Sequence, residues 1–206
     1  MAVFESVKLF DDLCTQGYHL IDDFLDQSTY QELYVLATQL AQQEAFYPAK
    51  IGQKSQTQQN QSIRKDHIYW LDELPNNDAV CRYLQQIAAL MKSLNQNLFL
   101  GLQEHELHFA VYSPGAFYKK HIDQFHTTKT RKISCVYYLN PTWDVSYGGK
   151  LNLYSKNDTE LQAIQPLGNR FVCFDSTLPH EVERTTQTRY SITGWLKTRP
   201  ATSVFS

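Results

Sequence analysis

The chain contains 206 residues, of which 42% are hydrophobic and 13% aromatic, and its formal net charge is −2. This apolar content excludes an intrinsically disordered chain and is sufficient for one folded domain with its own core. The near-neutral charge argues against a general electrostatic attraction to nucleic acid or to anionic membranes.

The sequence predicts neither a membrane span nor a secretory signal. No run of about 18 apolar residues is present, and the first residues lack a basic segment followed by an apolar one. The cysteines are far apart in the chain and form no CxxC pair: Cys14, Cys81, Cys135 and Cys173. We therefore expect a cytoplasmic protein with reduced thiols.

The first hundred residues are predicted to be mainly helical. Apolar residues recur at helical spacing over 4–16, 29–45 and 78–95. Gly17 is placed as the C-cap of the first helix, and Ser28 with Gln31 fits a capping box at the start of the second.

A polar segment separates the second and third helices. Residues 53–62 are rich in Gln, Ser and Asn and are predicted to form a mobile loop, because they carry little apolar surface to bury. The flanking segments 48–51 and 63–71 have the composition of short strands. Together they predict a hairpin with a flexible tip.

From residue 104 onward the apolar pattern changes to a period of two. The predicted strands are 105–113, 117–122, 131–139, 149–155, 161–165, 170–175, 180–184 and 189–197. Many short strands separated by Gly- and Pro-containing turns favour a jelly roll or a small barrel. The predicted fold class is α+β, mainly β, with a jelly-roll core that the N-terminal helices back.

Three residues in this region can form a metal site. His121 and Asp123 are two residues apart at the end of a predicted strand, and His180 begins another strand. Two histidines and one carboxylate on one side of a metal form the facial triad of non-haem Fe(II) oxygenases, in which the other side is open. Arg189, nine residues after His180, can point into the same cavity and pair with a small carboxylate.

The order of these residues, together with the surrounding segments, resembles the Fe(II)- and 2-oxoglutarate-dependent prolyl 4-hydroxylase family, including the HIF-type prolyl hydroxylases and their short bacterial relatives. The matching segments are IRKDHIYW (63–70), YSPG (112–115), YKKHID (118–123), VYYLN (136–140), PHEV (179–182) and TRYSIT (188–193). The resemblance covers about residues 48–197 and implies a double-stranded β-helix core.

The resemblance also implies roles for individual residues. His121, Asp123 and His180 would bind Fe(II). The residues of the 2-oxoglutarate pocket would be Arg189, Tyr138, Tyr112, Thr193 and Trp195, with Arg189 and Tyr138 on the distal carboxylate. Arg64, Asp66 and Tyr118 would lie on the substrate side. No catalytic side chain beyond the metal ligands is implied.

The function implied is hydroxylation of a prolyl residue, at C4, in a protein substrate, with Fe(II), 2-oxoglutarate and O2 and with ascorbate as a reductant. Microbial relatives favour a translation factor such as elongation factor Tu as the substrate, and an oxygen-sensing role is open. We expect a monomer with no membrane or nucleic-acid partner. One domain is expected over 1–206, with helical support and a mobile loop (about 50–65) in 1–100 and the catalytic core in 101–200.

Two alternatives remain open at this point. The first is an oxygenase of the same superfamily that acts on nucleic acid or on a small molecule. The second is a non-enzymatic jelly-roll binding module whose histidines are structural or hold zinc. The segment 124–130 departs from the animal enzymes near the metal, which leaves substrate choice open.

The other histidines have ordinary interpretations. His105 and His108 are taken as plain strand residues, because the HELH spacing is not that of a zinc protease. His126 is placed in a loop. His19 and His67 have no neighbouring ligands in the sequence.

Overall fold

The computed structural model describes residues 7–49, 60–125 and 127–199. These residues form three α-helices and eleven β-strands. The helices are α1 (Val7–Thr15), α2 (Gln27–Gln42) and α3 (Asp78–Leu98). The strands are β1 (Tyr18–Ile21), β2 (Tyr47–Pro48), β3 (His67–Trp70), β4 (Glu104–Tyr112), β5 (Tyr118–His121), β6 (Arg131–Tyr138), β7 (Leu151–Tyr154), β8 (Glu160–Ile164), β9 (Phe171–Asp175), β10 (His180–Val182) and β11 (Arg189–Lys197).

The strands form two antiparallel sheets. The major sheet has the order β1-β9-β6-β11-β4-β3-β2, and the minor sheet has the order β5-β10-β7-β8. Strands that are neighbours in a sheet are mostly distant in the sequence, as in a jelly roll. The fold class predicted from the sequence is therefore confirmed, as are the eight predicted strands after residue 104.

The alternation of side chains along each central strand divides the core into two layers. On β4, Leu107 and Phe109 pack against the helices, whereas Ala110 and Tyr112 face the minor sheet. This is the consequence of the two-residue period of a strand. The functional cavity lies in the second layer, between the two sheets.

The helices stabilise the outer face of the major sheet. Leu33 of α2 and Ile87 of α3 are fully buried in the same cluster as Tyr137 and Phe171 of the sheet. The four-stranded minor sheet receives no such cover from helices, so the helices among the described residues lie on one side only. None of the helices in the described part of the chain has the length and hydropathy needed to cross a membrane.

The predicted start of α2 is wrong. Asp26, not Ser28, is the N-cap, and its carboxylate accepts hydrogen bonds from the backbone N–H (2.9 Å) and the hydroxyl (2.7 Å) of Thr29. Ser28 is already inside the helix, where its hydroxyl donates to Glu32. A carboxylate is a good N-cap because its negative charge also interacts favourably with the helix dipole.

The N-terminal half contributes more sheet than the pattern predicts. The apolar stretch after Gly17 forms β1, which pairs with β9 and extends the major sheet. The predicted hairpin is present as β2 and β3, which are antiparallel with Tyr47 opposite Ile68. Residues 53–59 of the predicted mobile loop lie outside the described residues.

Candidate metal centre and active site

Two histidines and one aspartate converge between the sheets. His121 ends β5 and His180 begins β10, and the antiparallel pairing of these strands sets the two residues opposite each other. The Nε2 atoms of His121 and His180 lie 3.6 Å and 3.4 Å from the carboxylate oxygens of Asp123. Within the described residues, this is the group of His, Cys, Asp or Glu side chains whose ligand atoms, all within 4.8 Å, can hold a metal ion.

Backbone carbonyls orient both imidazoles. Nδ1 of His121 lies 2.8 Å from the Lys119 carbonyl oxygen, and Nδ1 of His180 lies 2.9 Å from that of Leu178. A carbonyl only accepts, so each Nδ1 carries the hydrogen in these bonds. The Nε2 lone pairs are thereby left for a metal, which is the usual arrangement around metal-bound histidines.

Asp123 lies two residues past the end of β5, so strand alternation does not fix its side chain. Its orientation is set instead by Ser134 of β6, whose hydroxyl donates to the carboxylate at 2.7 Å. Ser134 in turn lies 2.9 Å from the Ser176 hydroxyl. These two serines were not predicted as functional residues.

Charge interactions favour the ionised carboxylate. Burial alone would raise the pKa of Asp123, but the adjacent His180 and His121 outweigh burial and hold the pKa well below its usual range. Burial would likewise lower the pKa of His180, but the Asp123 carboxylate raises it. The pKa of His121 is lowered by burial and by His180. The cluster thus presents a negative carboxylate between two imidazoles, a donor set suited to Fe(II).

Arg189 lines the same cavity as the two histidines and Asp123, and Tyr138 lies next to Arg189. Arg189 is 2% exposed, and the central carbon of its guanidinium lies 4.9 Å from the ring centroids of Tyr138 and Tyr112. Among the described residues, Arg189 makes no ion pair, and Nε of Arg189 and the Tyr138 hydroxyl have no hydrogen-bond partner. A buried cation without a counter-ion is costly, so the cavity next to Arg189 fits an anionic ligand.

A glycine leaves room for this arginine. Gly149 adopts a φ of +68°, and a Cβ on it would lie 3.3 Å from Cδ of Arg189 and 3.1 Å from the Trp143 ring. A larger residue would therefore strain the backbone and crowd the guanidinium.

The cavity wall contains the remaining residues predicted for the 2-oxoglutarate pocket. Tyr112, Thr193 and Trp195 line a small inner cavity of about 50 Å³. The same cavity is lined by Arg189 and by the three side chains that can hold a metal, His121, Asp123 and His180. The Thr193 hydroxyl donates to the Cys135 carbonyl oxygen at 3.0 Å, which ties it to the sheet. The structure thus brings together all the residues predicted for metal and cosubstrate.

The residues predicted for the substrate side lie beside His121, one of the residues that can bind a metal. The Arg64 guanidinium donates to both carboxylate oxygens of Asp66, at 2.7 Å and 2.5 Å, and lies over the Tyr118 ring at 4.3 Å. Tyr118 stacks on the His121 imidazole, with ring centroids 3.5 Å apart. This stack connects the N-terminal segment to a metal-ligating position.

An open cleft adjoins the inner cavity. It has a volume of about 680 Å³, and it is lined by both aliphatic and aromatic side chains, including Ile68, Trp70, Ile122 and Phe125. Arg131 closes one side, with its guanidinium 3.3 Å from the Trp195 ring centroid and 4.4 Å from that of Phe125. Arg131 also pairs with Glu106 at 3.1 Å.

His108 is a further residue, after Ser134 and Ser176, that sequence reasoning missed at this site. It lies on a strand, as predicted, but it is 2% exposed and lines both the inner cavity and the open cleft, which was not predicted from the sequence. The signal was present in the sequence, because His108 is four residues from Tyr112 on β4 and therefore on the same face. His126 lies outside the described residues.

Comparison with known proteins agrees with this geometry. The model of the 2OG-Fe(II) oxygenase superfamily matches residues 107–197, which span β4 to β11. A crystal structure of a Pseudomonas putida prolyl-4-hydroxylase is 34% identical, with a TM-score of 0.83 over 93% of this chain and 97% of that chain.

Eukaryotic relatives share less sequence but the same fold. A Trichoplax adhaerens prolyl hydroxylase, solved in complex with a hypoxia-inducible factor oxygen degradation domain peptide, is 28% identical, with a TM-score of 0.81. That match covers 92% of this chain and 87% of the other. Egl nine homolog 1 of Mus musculus is 28% identical over 190 residues, and the match covers 87% of this chain and 46% of the relative. The chain thus spans about half the length of that protein.

The site and the comparisons converge on one conclusion: the chain belongs to the Fe(II)- and 2-oxoglutarate-dependent oxygenases, within their prolyl hydroxylase branch.

Proposed function

We propose that this protein hydroxylates a prolyl residue of a protein substrate, using Fe(II), 2-oxoglutarate and O2. The observation that carries the proposal is the juxtaposition of a two-histidine, one-carboxylate cluster with a buried, uncompensated Arg189 in one cavity. Bound Fe(II), 2-oxoglutarate and O2 would supply the oxidising chemistry, in which 2-oxoglutarate becomes succinate and CO2 as an oxygen atom enters a C–H bond.

In this proposal His121, Asp123 and His180 hold the metal on one side and leave its other side open. Ser134 keeps the carboxylate in a single orientation. Two backbone carbonyls keep both histidines in the tautomer that a metal requires.

Arg189 is assigned to the distal carboxylate of 2-oxoglutarate, with the Tyr138 hydroxyl as a second donor. Burial raises the pKa of Tyr138, and the neighbouring Arg189 opposes only part of that rise, so the hydroxyl retains its proton at neutral pH. Tyr112, Thr193 and Trp195 form the wall that excludes water from the bound cosubstrate.

Arg64, Asp66 and Tyr118 are assigned to the substrate side. Arg64 lies over Tyr118, and Tyr118 stacks on His121, so this part of the cleft wall is held in place. The apolar lining of the cleft suits a prolyl ring with its flanking residues. We place the hydroxyl group at C4 of the ring, as the family resemblance implies.

For the biological setting, we propose a translation factor such as elongation factor Tu as substrate and a cytoplasmic monomer as the active form. The whole chain, 1–206, would act as one catalytic domain. We further propose that ascorbate keeps the iron reduced and that the reaction rate responds to oxygen concentration.

Two measurements test these assignments. Anaerobic addition of 2-oxoglutarate to the Fe(II)-loaded protein should produce a visible charge-transfer band, and Asp123→Ala should abolish it. Tight zinc binding without such a band would instead indicate a binding module. Mass spectrometry of proteins retained by the Asp123→Ala variant should identify a translation factor with an unmodified proline, and retention of nucleic acid instead would contradict the substrate class.

A further inference from the structure

His108 lines the inner cavity together with His121, Asp123 and His180, and it has no role in the reaction described so far. It projects from β4 opposite Thr193 of β11 on one side and opposite Trp70 of β3 on the other. Its imidazole lies between two indoles, with ring centroids 4.8 Å from Trp70 and 5.8 Å from Trp195. Its neighbours therefore orient the ring by packing.

Hydrogen bonding leaves this histidine unsatisfied. Within residues 7–49, 60–125 and 127–199, neither Nδ1 nor Nε2 of His108 has a hydrogen-bond partner, although both atoms are buried. The indole N–H of Trp195 is also buried without a partner there. Buried polar atoms normally find partners, and leaving one unpaired costs about 1–3 kcal/mol. Such groups in a cavity wall point to a ligand that completes them.

The imidazole is neutral at physiological pH. Burial, together with the positive charge of Arg64, lowers the pKa of His108 to about 3. A neutral imidazole has one N–H donor and one acceptor nitrogen. It can therefore donate a hydrogen bond to an oxygen atom of a bound ligand without bringing a second positive charge close to the metal.

Strand register relates His108 to the proposed cosubstrate anchor. Thr193, its partner on β11, is four residues from Arg189, which corresponds to about 13 Å along the strand. An arginine side chain and a five-carbon dicarboxylate can together cover that distance. His108 is thus placed near the end of the cosubstrate that is remote from Arg189. His108 also lines the open cleft, but because it is only 2% exposed, a small molecule in the inner cavity can reach it more easily than a peptide backbone can.

We propose that His108 is a positioning residue for 2-oxoglutarate, donating a hydrogen bond to the carboxylate at the metal-binding end of the molecule. This inference rests on the proposed function and adds a contact to it. Arg189 would hold one carboxylate by an ion pair, and His108 would orient the other by a neutral hydrogen bond.

Three variants test the proposal. His108→Leu removes both nitrogens at similar volume, and His108→Gln retains an N–H donor. His105→Leu is the matched control, because His105 is exposed on the opposite face of the same strand. The dissociation constant for 2-oxoglutarate is measured anaerobically on the Fe(II)-loaded proteins from the visible charge-transfer band, and Tm is measured on the metal-free proteins.

We expect His108→Leu to bind 2-oxoglutarate about tenfold more weakly, as is typical for loss of one hydrogen bond to a charged group. His108→Gln should lie within about threefold of the wild type, and His105→Leu should be unchanged. The metal-free His108→Leu protein should have an equal or higher Tm, because an unpaired buried polar group has been removed. A purely structural role for His108 would predict the opposite change in Tm.

The proposal is overturned if His108→Leu binds 2-oxoglutarate as the wild type does. It is also overturned if His108→Gln is as weak as His108→Leu and both metal-free variants lose stability. Should the leucine variant not fold, His108→Met removes the same nitrogens and takes its place. Absence of the band in the wild-type protein would instead reject the proposed function, and this inference with it.

Discussion

At the scale of single residues, the hydrogen bonds that orient His121, Asp123 and His180 are the feature of the site that is easiest to test by substitution. Ser134 and Ser176 form a short chain that ends on the Asp123 carboxylate. The backbone carbonyls at Lys119 and Leu178 have the same role for the two histidines. These contacts orient the three side chains that we propose as metal ligands.

We expect Ser134→Ala to weaken metal binding about tenfold, because the loss of such an orienting contact typically costs 10–100-fold in affinity. The measurement is a competition titration of Mn(II) or Fe(II) against a chelator of known affinity. Ser113→Ala, in an exposed turn, is the control and should bind metal normally. Equal affinities for the two variants would show that Ser134 does not orient Asp123.

Arg189→Lys tests the anchor at the other end of the cavity. A lysine keeps the positive charge but loses the planar fork that binds a carboxylate through two hydrogen bonds. We expect the affinity for 2-oxoglutarate, measured by calorimetry with Mn(II) bound, to fall by at least tenfold while metal affinity is retained. An unchanged affinity for 2-oxoglutarate would remove Arg189 from the cosubstrate site.

The types and the order of His121, Asp123, His180 and Arg189 allowed these residues to be predicted as a group. Two histidines and one carboxylate form the facial triad of non-haem Fe(II) oxygenases, and few other kinds of site use this combination. The serines and His108 were not predicted. Serine and histidine occur in strands for many reasons, and only the register of β4 and β6 against β11 shows that His108 and Ser134 face the cavity.

At the scale of secondary-structure elements, the antiparallel pairing of β5 and β10 is the feature that assembles the site. It sets His121 opposite His180, although the two residues are far apart in the sequence. A one-residue change of register would turn one imidazole to the other face of the sheet. The sequence shows the strands themselves, but their pairing depends on the long-range contacts of the whole jelly roll.

The N-cap of α2 provides a prediction about pH. Hydrogen bonds from the backbone and the side chain of Thr29 lower the pKa of Asp26. Because the folded-state pKa is depressed, the carboxylate contributes stability above its unfolded pKa of about 3.9, and that contribution is lost as pH falls through the lower folded value.

Asp26→Ala should therefore reduce the free energy of unfolding by about 1 kcal/mol at pH 7, and by less near pH 3. Urea unfolding at the two pH values measures the difference, with Gln27→Ala at the neighbouring exposed position as the control. A loss that is the same at both pH values would mean that the charge on Asp26 has no part in the cap.

The missed cap has a simple physical reason. Both Asp26 and Ser28 are good N-cap residues, and the choice between them depends on where the preceding chain is held. That chain is held by Asn169, whose side chain bonds the backbone N–H and carbonyl of Leu25. Such a contact across 144 residues is not visible in a local pattern.

At the scale of the whole molecule, the helices and the major sheet form a stable support, and the site lies on the other side of that sheet. Leu33 and Ile87 are buried between helices and sheet, whereas Arg189 and His108 are buried between the sheets. Among the described residues, several buried polar atoms around the cavity have no protein partner, including Nε of Arg189 and both ring nitrogens of His108. Ligand binding should therefore contribute directly to stability.

Mn(II) and 2-oxoglutarate at about 100 times their dissociation constants should each add about 2.7 kcal/mol. For a protein of this size, that corresponds to a rise in Tm of roughly 5–10 °C for each ligand. Calorimetry with and without a chelator measures the effect. The metal-dependent rise should be absent in Asp123→Asn and present in Asp72→Asn, a change at an exposed site.

Our central proposal is that this protein hydroxylates a prolyl residue of a protein substrate. Mass spectrometry of a candidate substrate tests this proposal most directly. Purified protein is incubated with Fe(II), 2-oxoglutarate, O2 and elongation factor Tu, with the Asp123→Ala variant in parallel. We predict one oxygen atom added to a proline for each succinate formed, and no addition with the variant. Succinate formed equally by the variant, or an added oxygen on nucleic acid or another residue type in place of proline, would contradict the account.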